Sequence, residues 1–458
     1  MTDLIAELEA LRARDLPTHG GRTLAYVYDS GLPDADEIGR RALAMFASTN
    51  GLDPTAFPSL AAMERDLIAT AKPLVGAPDG AVGTVTSGGT ESILLAVQTA
   101  RDAARRERPS MVVPTTAHGA FHKAAHYFGV RVVAIDVDPV SKRAVPEAMA
   151  AAIDEDTVLV AVSAPSYAHG VVDPVAPIAA AAAERGVRCH VDACIGGWVL
   201  PWLDHEPWGL DVAGVTSLSV DLHKYAYTPK GVSLLLHRDP ALRRPQFFAS
   251  ADWPGYTMLN ATMQSTKSGG PLAAAWAVVR HIGTDGYRAL VGTTVDATRR
   301  IAAAVAAHPH LRLAAEPDTT LVAVETDTAL DVFTLSDEML VRGWFTQPQM
   351  GFRDLAPTLH LTVSAATAAD EFLADLDEAV AAAVAAGPVQ VAPELRAAAA
   401  QLDPSTLDDA AFDGLLAAAG LSGDGLPTRM APVNALLDAA PPRLREALLI
   451  AFLDRLTR

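Results

Sequence analysis

From about residue 80 the chain alternates short, apolar, β-rich runs with amphipathic stretches of helical period. The candidate strands are Val82 to Thr86, Met111 to Pro114, Val130 to Ile135, Thr157 to Ser163, Arg188 to Asp192 and Gly214 to Ser219. Helices fit between them at Glu91 to Arg106, His118 to Phe128, Pro146 to Ile153 and Pro174 to Arg185. Strands separated by helix-length connections share one sheet by crossing over it. The pattern therefore predicts an α/β fold, a mainly parallel sheet with helices on both faces. The run Val232 to His237 follows Ser219 too closely for a crossover helix and is expected to pair antiparallel in the same sheet.

A chain of 458 residues asks for two or three domains and buries enough surface to need no disulfide or metal staples. Residues 1–75 read as an N-terminal helical segment, with helices at Ile38 to Phe46 and Leu60 to Ala71. Gly20 to Pro33 is too irregular to assign. Residues 76–290 form the large sheet-bearing domain. Residues 291–458 form a smaller C-terminal domain, with strands at Thr320 to Glu325 and Thr358 to Val363 and helices at Asp370 to Ala385 and Arg443 to Leu456. Pro388 to Pro393 is the expected joint before a helical tail.

The 36 Lys+Arg against 54 Asp+Glu leave a formal charge of −18, which argues against nucleic acid or an anionic membrane as partner. No appended DNA-binding motif is read. Two cysteines suit a reducing cytoplasm. The start, MTDLIAELEALRARD, places acids where a signal peptide needs cations, and no long apolar run predicts a membrane span. A cytoplasmic protein is expected.

Three stretches carry chemistry. In VTSGGTES, Val85 to Ser92, a strand runs into Ser87-Gly88-Gly89-Thr90 and a helix follows. Glycines admit a ligand close to the backbone, and free amides at a helix start favour an anion such as phosphate. A capped Gly-rich turn would read the same, and the stretch is neither a P-loop nor a GxGxxG fingerprint. In HVDACIGGWVLPW, Asp192 ends a strand at the carboxyl edge of the sheet, where α/β ligand sites form. A carboxylate there needs a cation or a donor, and a protonated pyridine nitrogen would serve; capping the turn toward Gly196 and Gly197 is the plain alternative. In SVDLHKYAYTPKG, Lys224 follows a strand beside His223, with Lys230 six residues on. A lysine in a walled cleft can form a Schiff base, although a single lysine is more often a surface residue. An anion cradle, a strand-end carboxylate and a strand-end amine, in order on one sheet, together specify pyridoxal 5′-phosphate.

These motifs, with AHGAFHKAAHYFG and QSTKSGGPLAAAWA, resemble successive motifs of sphingosine-1-phosphate lyases, which belong to the fold-type I, group II decarboxylase-like family of pyridoxal-phosphate enzymes. The resemblance is clear over roughly residues 20 to 290 and looser beyond. It implies a seven-stranded, mainly parallel sheet with a smaller α+β domain, and a homodimer that shares its sites between subunits. It further implies that Lys224 holds the cofactor, Asp192 pairs with the pyridinium nitrogen and His118 stacks on the ring. Gly88, Gly89, Thr90 and His223 would hold the phosphate, with Ser163 and Ser219 in support. Thr266 would reach the phosphate from the neighbouring subunit. Tyr28 and Lys230 would serve acid–base chemistry and, with Asn50, substrate binding.

Two departures bear on the substrate. The usual Asn-Pro-Leu-His-Pro-Asp loop is Asn50-Gly51-Leu52-Asp53-Pro54-Thr55 here, and the usual Ser-Arg-Pro-Gly-Gly is Thr266-Lys267-Ser268-Gly269-Gly270. An acid replaces a histidine, and a guanidinium fork suited to oxyanions is lost. Both weaken the case for a phosphorylated sphingoid base. The leading expectation is retro-aldol cleavage of a β-hydroxy amine to an aldehyde and an amine. The alternatives are α-decarboxylation of an amino acid, transamination, or cofactor binding without turnover. His118, His122 and His126 lack an HExxH pattern, so no metal is expected. Cys189 and Cys194 read as small buried hydrophobes.

Overall fold

The computed structural model describes residues 2–404, 407–418 and 428–457. The chain opens with helix α1 (Thr2–Arg12), the two-residue strand β1 (Thr23–Leu24) and helices α2 (Pro33–Phe46) and α3 (Pro58–Leu74). The sheet region follows as β2 (Val82–Thr86), α4 (Gly89–Ala104), β3 (Ser110–Pro114), α5 (Ala120–Phe128), β4 (Arg131–Ile135), α6 (Pro146–Ala151), β5 (Thr157–Ser163), α7 (Val175–Glu184), β6 (Arg188–Asp192), β7 (Val215–Asp221) and β8 (Ser233–His237). The seven strands pair in the order β2-β8-β7-β6-β5-β3-β4. All neighbours are parallel except β8, which runs antiparallel to β2 and β7, as its short connection requires.

Both faces of this sheet are covered, so its strands are apolar throughout rather than alternating. All seven residues of β5 are buried. Val160 and Val162 face one layer with Met149 and Ile178 of α6 and α7. Leu159 and Ala161 face the other, with Ile93, Val97 and Phe121 of α4 and α5. The register aligns Ser163 with Asp192 and Asp192 with Ser219, which brings three strand ends to one edge.

After α8 (Pro240–Arg243) and the hairpin β9 (Phe248–Ser250) and β10 (Met258–Asn260) comes the 38-residue α9 (Gly270–Ala307), with a break at Gly283, φ 65°. Then come β11 (Leu311–Leu313), β12 (Leu321–Thr326), α10 (Val332–Val341), β13 (Phe345–Gln349), β14 (Thr358–Thr362) and α11 (Ala369–Ala386). The second sheet has the order β1-β13-β14-β12-β11, with Phe333, Met339, Trp344 and Phe372 packed into its core.

The sequence left residues 20–33 unassigned because β1 has only two residues. Its strand character comes from parallel pairing of Thr23 with Phe345 and Leu24 with Thr346, more than three hundred residues away. The tail, α12 (Pro393–Gln401), α13 (Asp409–Ala418), α14 (Ala431–Ala439) and α15 (Pro442–Leu456), has its own small core around Phe412, Leu444 and Leu448. Asp337 of α10 accepts from Met430 N and Ala431 N, each at 2.9 Å, and so ties the start of α14 to the second sheet's layer. Among the described residues no helix is long and apolar enough to cross a membrane.

Candidate active site

The β2–α4 turn and the carboxyl ends of β5, β6 and β7 line one cavity of about 460 Å³. This is the edge where parallel α/β sheets place their ligands, because the crossover helices begin there. The cavity brings together Gly88, Gly89, Thr90, His118, Ser163, Asp192, His223, Lys224 and Lys230, all singled out in the sequence.

At the first wall, β2 ends at Thr86 and α4 starts at Gly89, whose position tolerates no side chain. A Cβ there would lie 2.7 Å from Cys194 Sγ and 2.9 Å from both carboxylate oxygens of Asp221. The first amides of α4 have no intrahelical acceptor, so this wall offers N–H donors to an anion.

At the second wall Asp192 is buried, with 8% exposure. Its Oδ1 accepts from Cys194 N at 3.1 Å and from Ser219 Oγ at 3.4 Å, while Oδ2 accepts from none of the described residues. Ser219 lies 3.2 Å from His190 Nε2, and His190 Nδ1 lies 2.9 Å from Ser217 Oγ. Burial pulls His190 down to about 4, against the opposing pull of Asp192, so the ring is neutral near pH 7. Ser219 thus supports Asp192 from behind.

At the third wall Lys224 follows β7 by one turn, and its Nζ lies 3.0 Å from Asp221 Oδ2. Burial favours the neutral amine. Asp221 opposes it, with Tyr28, Cys194 and Asp192 adding to that side, and the lysine is held above its ordinary range. Asp221 is buried too, which favours its protonation, but Lys224, His223 and Ser233 keep it ionised. His223 Nδ1 donates to Val232 O at 2.9 Å, and burial lowers its basicity.

Lys230 Nζ donates to His223 O at 3.0 Å and sits 4.8 Å from the centre of the Tyr28 ring. Burial of the ammonium and the nearby Lys224 pull it down to about 8, with Asp221 opposing. The side chain as a whole keeps exposed surface in the single chain, so solvent moderates that pull. Tyr28 is half-buried, edge-on to Tyr225 at 5.1 Å, and burial raises its hydroxyl above the usual range.

His118 is exposed at the head of α5, where its Nδ1 accepts from Ala120 N at 3.1 Å. His122 and His126 are exposed on α5. Thr266 is not in this cavity. It lines an adjoining hollow of about 420 Å³ that shares Ser87 and Gly231 with the first. Asn50 turns its side-chain carbonyl to Leu52 N and Lys267 N, and Asp53 accepts from Thr55 and Ala56 within its own loop. The two loops that depart from the lyase pattern are therefore zipped together, with an isolated bridge between Asn50 and Ser268.

Among the residues lining the cavity, Asp221 and Tyr167 were given no site role from the sequence, and Cys194 was read only as a small buried hydrophobe. Asp221 stands two residues before His223, a signal that was readable. Tyr167 lies four residues after Ser163, and its ring stacks 4.1 Å from that of His360, a contact between distant segments. Cys194 is buried as expected for a small hydrophobe, yet it also forms part of the wall.

The donor set suits pyridoxal phosphate. The free amides at the start of α4, an unpartnered carboxylate oxygen on Asp192 and an amine on Lys224 suit its phosphate, its ring nitrogen and its aldehyde.

Comparison with known proteins agrees. A family profile described as the pyridoxal-dependent decarboxylase conserved domain matches residues 38–326. A second, described as "Pyridoxal-dependent enzyme, C-terminal putative HTH domain", matches residues 393–455. That match qualifies the reading that no such motif is appended. The chain is 35% identical over 387 residues to a sphingosine-1-phosphate lyase of Dictyostelium discoideum, covering 82% of this chain and 72% of the relative. Among solved structures it is similar to the Burkholderia pseudomallei sphingosine-1-phosphate lyase, with a TM-score of 0.78, 35% identity, and coverage of 84% of this chain and 91% of that one. It also shares the fold of the Lactobacillus brevis glutamate decarboxylase, with a TM-score of 0.75 at 20% identity over 85% of this chain and 93% of that one.

Proposed function

The chain belongs to the pyridoxal-dependent decarboxylase family, in its sphingosine-1-phosphate lyase group, and from that premise we propose how its residues divide the work of a carbon–carbon lyase. The reaction is retro-aldol cleavage of a β-hydroxy amine to an aldehyde and an amine. The observation that carries the assignment of roles is the convergence of Lys224, Asp192 and the Gly88–Thr90 turn on one cavity. When bound, pyridoxal 5′-phosphate supplies an aldehyde for amines and a ring that accepts the electron pair of a breaking bond.

The protein does the rest. Lys224 provides the amine that anchors the cofactor. Asp192 Oδ2 holds a proton at the ring nitrogen, steadied by Ser219 and Cys194 N. The α4 amides of Gly89 and Thr90, with His223, hold the phosphate, and Ser163 lines the floor. His118, at the mouth, covers the ring from solvent. Lys230 takes the proton of the substrate β-hydroxyl, and Tyr28, beneath its ammonium, steers that transfer.

The working unit in this reading is a homodimer in the cytoplasm, with Thr266 and the Asn50 loop serving the neighbouring subunit's site. The exposed Leu4, Ile5, Leu8 and Leu11 of α1 support a second copy. Nucleic acid stays outside the reading, since residues 393–455 carry nine acidic side chains against five arginines.

Incubation with a phosphorylated long-chain base should release a fatty aldehyde. Release of carbon dioxide from aromatic or acidic amino acids, with no aldehyde at any chain length, would place the enzyme among the decarboxylases instead. Two further outcomes are expected. If neutral Lys230 is the base, turnover rises about tenfold from about pH 7 to about pH 9, because only about a tenth of the amine is neutral at one pH unit below its midpoint. Lys230→Arg removes that inflection, and an inflection that persists assigns the proton transfer elsewhere. Tyr28→Phe lowers turnover while bound cofactor stays close to wild type; equal losses of both would make Tyr28 structural.

A further inference from the structure

We propose that Asp221 is a positioning residue for Lys224, fixing its nitrogen in the cavity and holding a proton there that must leave before the amine can react. The proposal rests on the reading that Lys224 anchors the cofactor and deepens it.

Asp221 closes β7, and its side chain is only 2% exposed. A carboxylate that deep persists as an anion only with strong partners, and here they are fixed on both oxygens. Oδ2 faces Lys224 Nζ at 3.0 Å and His223 Nε2 at 3.6 Å, while Oδ1 accepts from Ser233 Oγ on the antiparallel strand β8. The Ser233 contact follows from register, since Asp221 and Ser233 are direct cross-strand partners. Both carboxylate oxygens also fill the space that a Cβ on Gly89 would need, each 2.9 Å from that position.

The groups facing the Lys224 nitrogen are Asp221, Tyr28, Cys194, Asp192 and Tyr167, with Lys230 and a protonated His223 as like charges. Among them Asp221 makes the ion pair. Its effect opposes burial: the apolar surroundings favour a neutral amine, and the carboxylate favours the ammonium.

Only the neutral amine has the lone pair that adds to an aldehyde. The ammonium therefore gives one proton to Asp221 or to solvent. The nitrogen then bonds the aldehyde carbon, and the aldehyde oxygen leaves as water with the two remaining amine hydrogens. Nothing is oxidised or reduced. Asp221 thus sets the pH at which Lys224 becomes reactive.

The test is the rate at which cofactor-stripped full-length protein attaches pyridoxal phosphate. It is followed by visible absorbance from about pH 6 to about pH 10 and by mass after borohydride reduction. Asp221→Asn keeps the volume and an acceptor for Ser233. Its rate profile should level off at least about one pH unit lower than wild type, with attachment about tenfold faster near neutral pH. Superimposable profiles, or slower attachment at every pH, overturn the proposal. Should that variant fail to fold, Ser233→Ala decides: losing a donor makes Asp221 a stronger partner for the ammonium, so the profile moves to higher pH, and an unmoved profile overturns the proposal. Failure of the wild-type chain to attach the cofactor at Lys224 would instead overturn the underlying reading.

Discussion

Lys224→Ala protein is expected to carry no covalently bound cofactor after borohydride reduction and to show no turnover above background. A methyl group cannot bond the aldehyde, and the other lysine of the cavity, Lys230, is turned to His223 O at 3.0 Å. The substitution also strips Asp221 of its closest cation, at 3.0 Å, and leaves it with His223 at 3.6 Å and the Ser233 hydroxyl. Removing one partner of a buried pair costs about 3–5 kcal/mol, so the melting temperature should fall as well. The mass measurement keeps the two effects apart. A folded variant that still bears the cofactor mass on another lysine would move the assignment to that residue.

Asp192→Ala should separate binding from chemistry. The phosphate cradle at Gly89 and the amine of Lys224 are untouched, so a substantial fraction of the cofactor stays bound. Turnover should nevertheless drop by about 10²–10³-fold, the typical cost of deleting one preorganised electrostatic partner. The cause is specific: Asp192 Oδ2 is left unpartnered by the protein, whereas Oδ1 is fixed by Cys194 N and Ser219 Oγ. Without it the ring nitrogen loses its proton and with it much of its capacity as an electron sink. Near-wild-type turnover in this variant would show that the carboxylate serves another purpose.

Much of this site was legible because its residues sit where local signals are strong. Gly89, Asp192 and Lys224 each stand at or just beyond the end of a strand, and the strands announce themselves by continuous apolar runs. The antiparallel β8 was equally readable, since its distance from β7 leaves no room for a helix. What the sequence concealed depends on partners far along the chain. β1 is a strand only because β13 lies beside it. Tyr167 acquires its neighbour His360 through the meeting of the two sheets. Asp221 was readable two residues before His223, but its partner Ser233 emerges only from the β7–β8 register. Thr266 lies beside the cavity rather than within it, in the adjoining hollow.

The pairing of β1 with β13 has a consequence for biosynthesis. Tyr28 is held through its neighbours: Thr362 Oγ1 donates to Ala25 O at 2.8 Å, Ala366 N donates to Asp29 O at 3.3 Å, and the Arg22 guanidinium lies 4.4 Å from the Trp344 ring centre. Those partners leave the ribosome long after the tyrosine does. Loops of this span close slowly, so the nascent polypeptide can complete its large sheet, with Tyr225 and Lys230 waiting for the tyrosine, before the segment that carries it is anchored. The segment carrying Tyr28 should then become ordered only after the strands of the second sheet have emerged and paired.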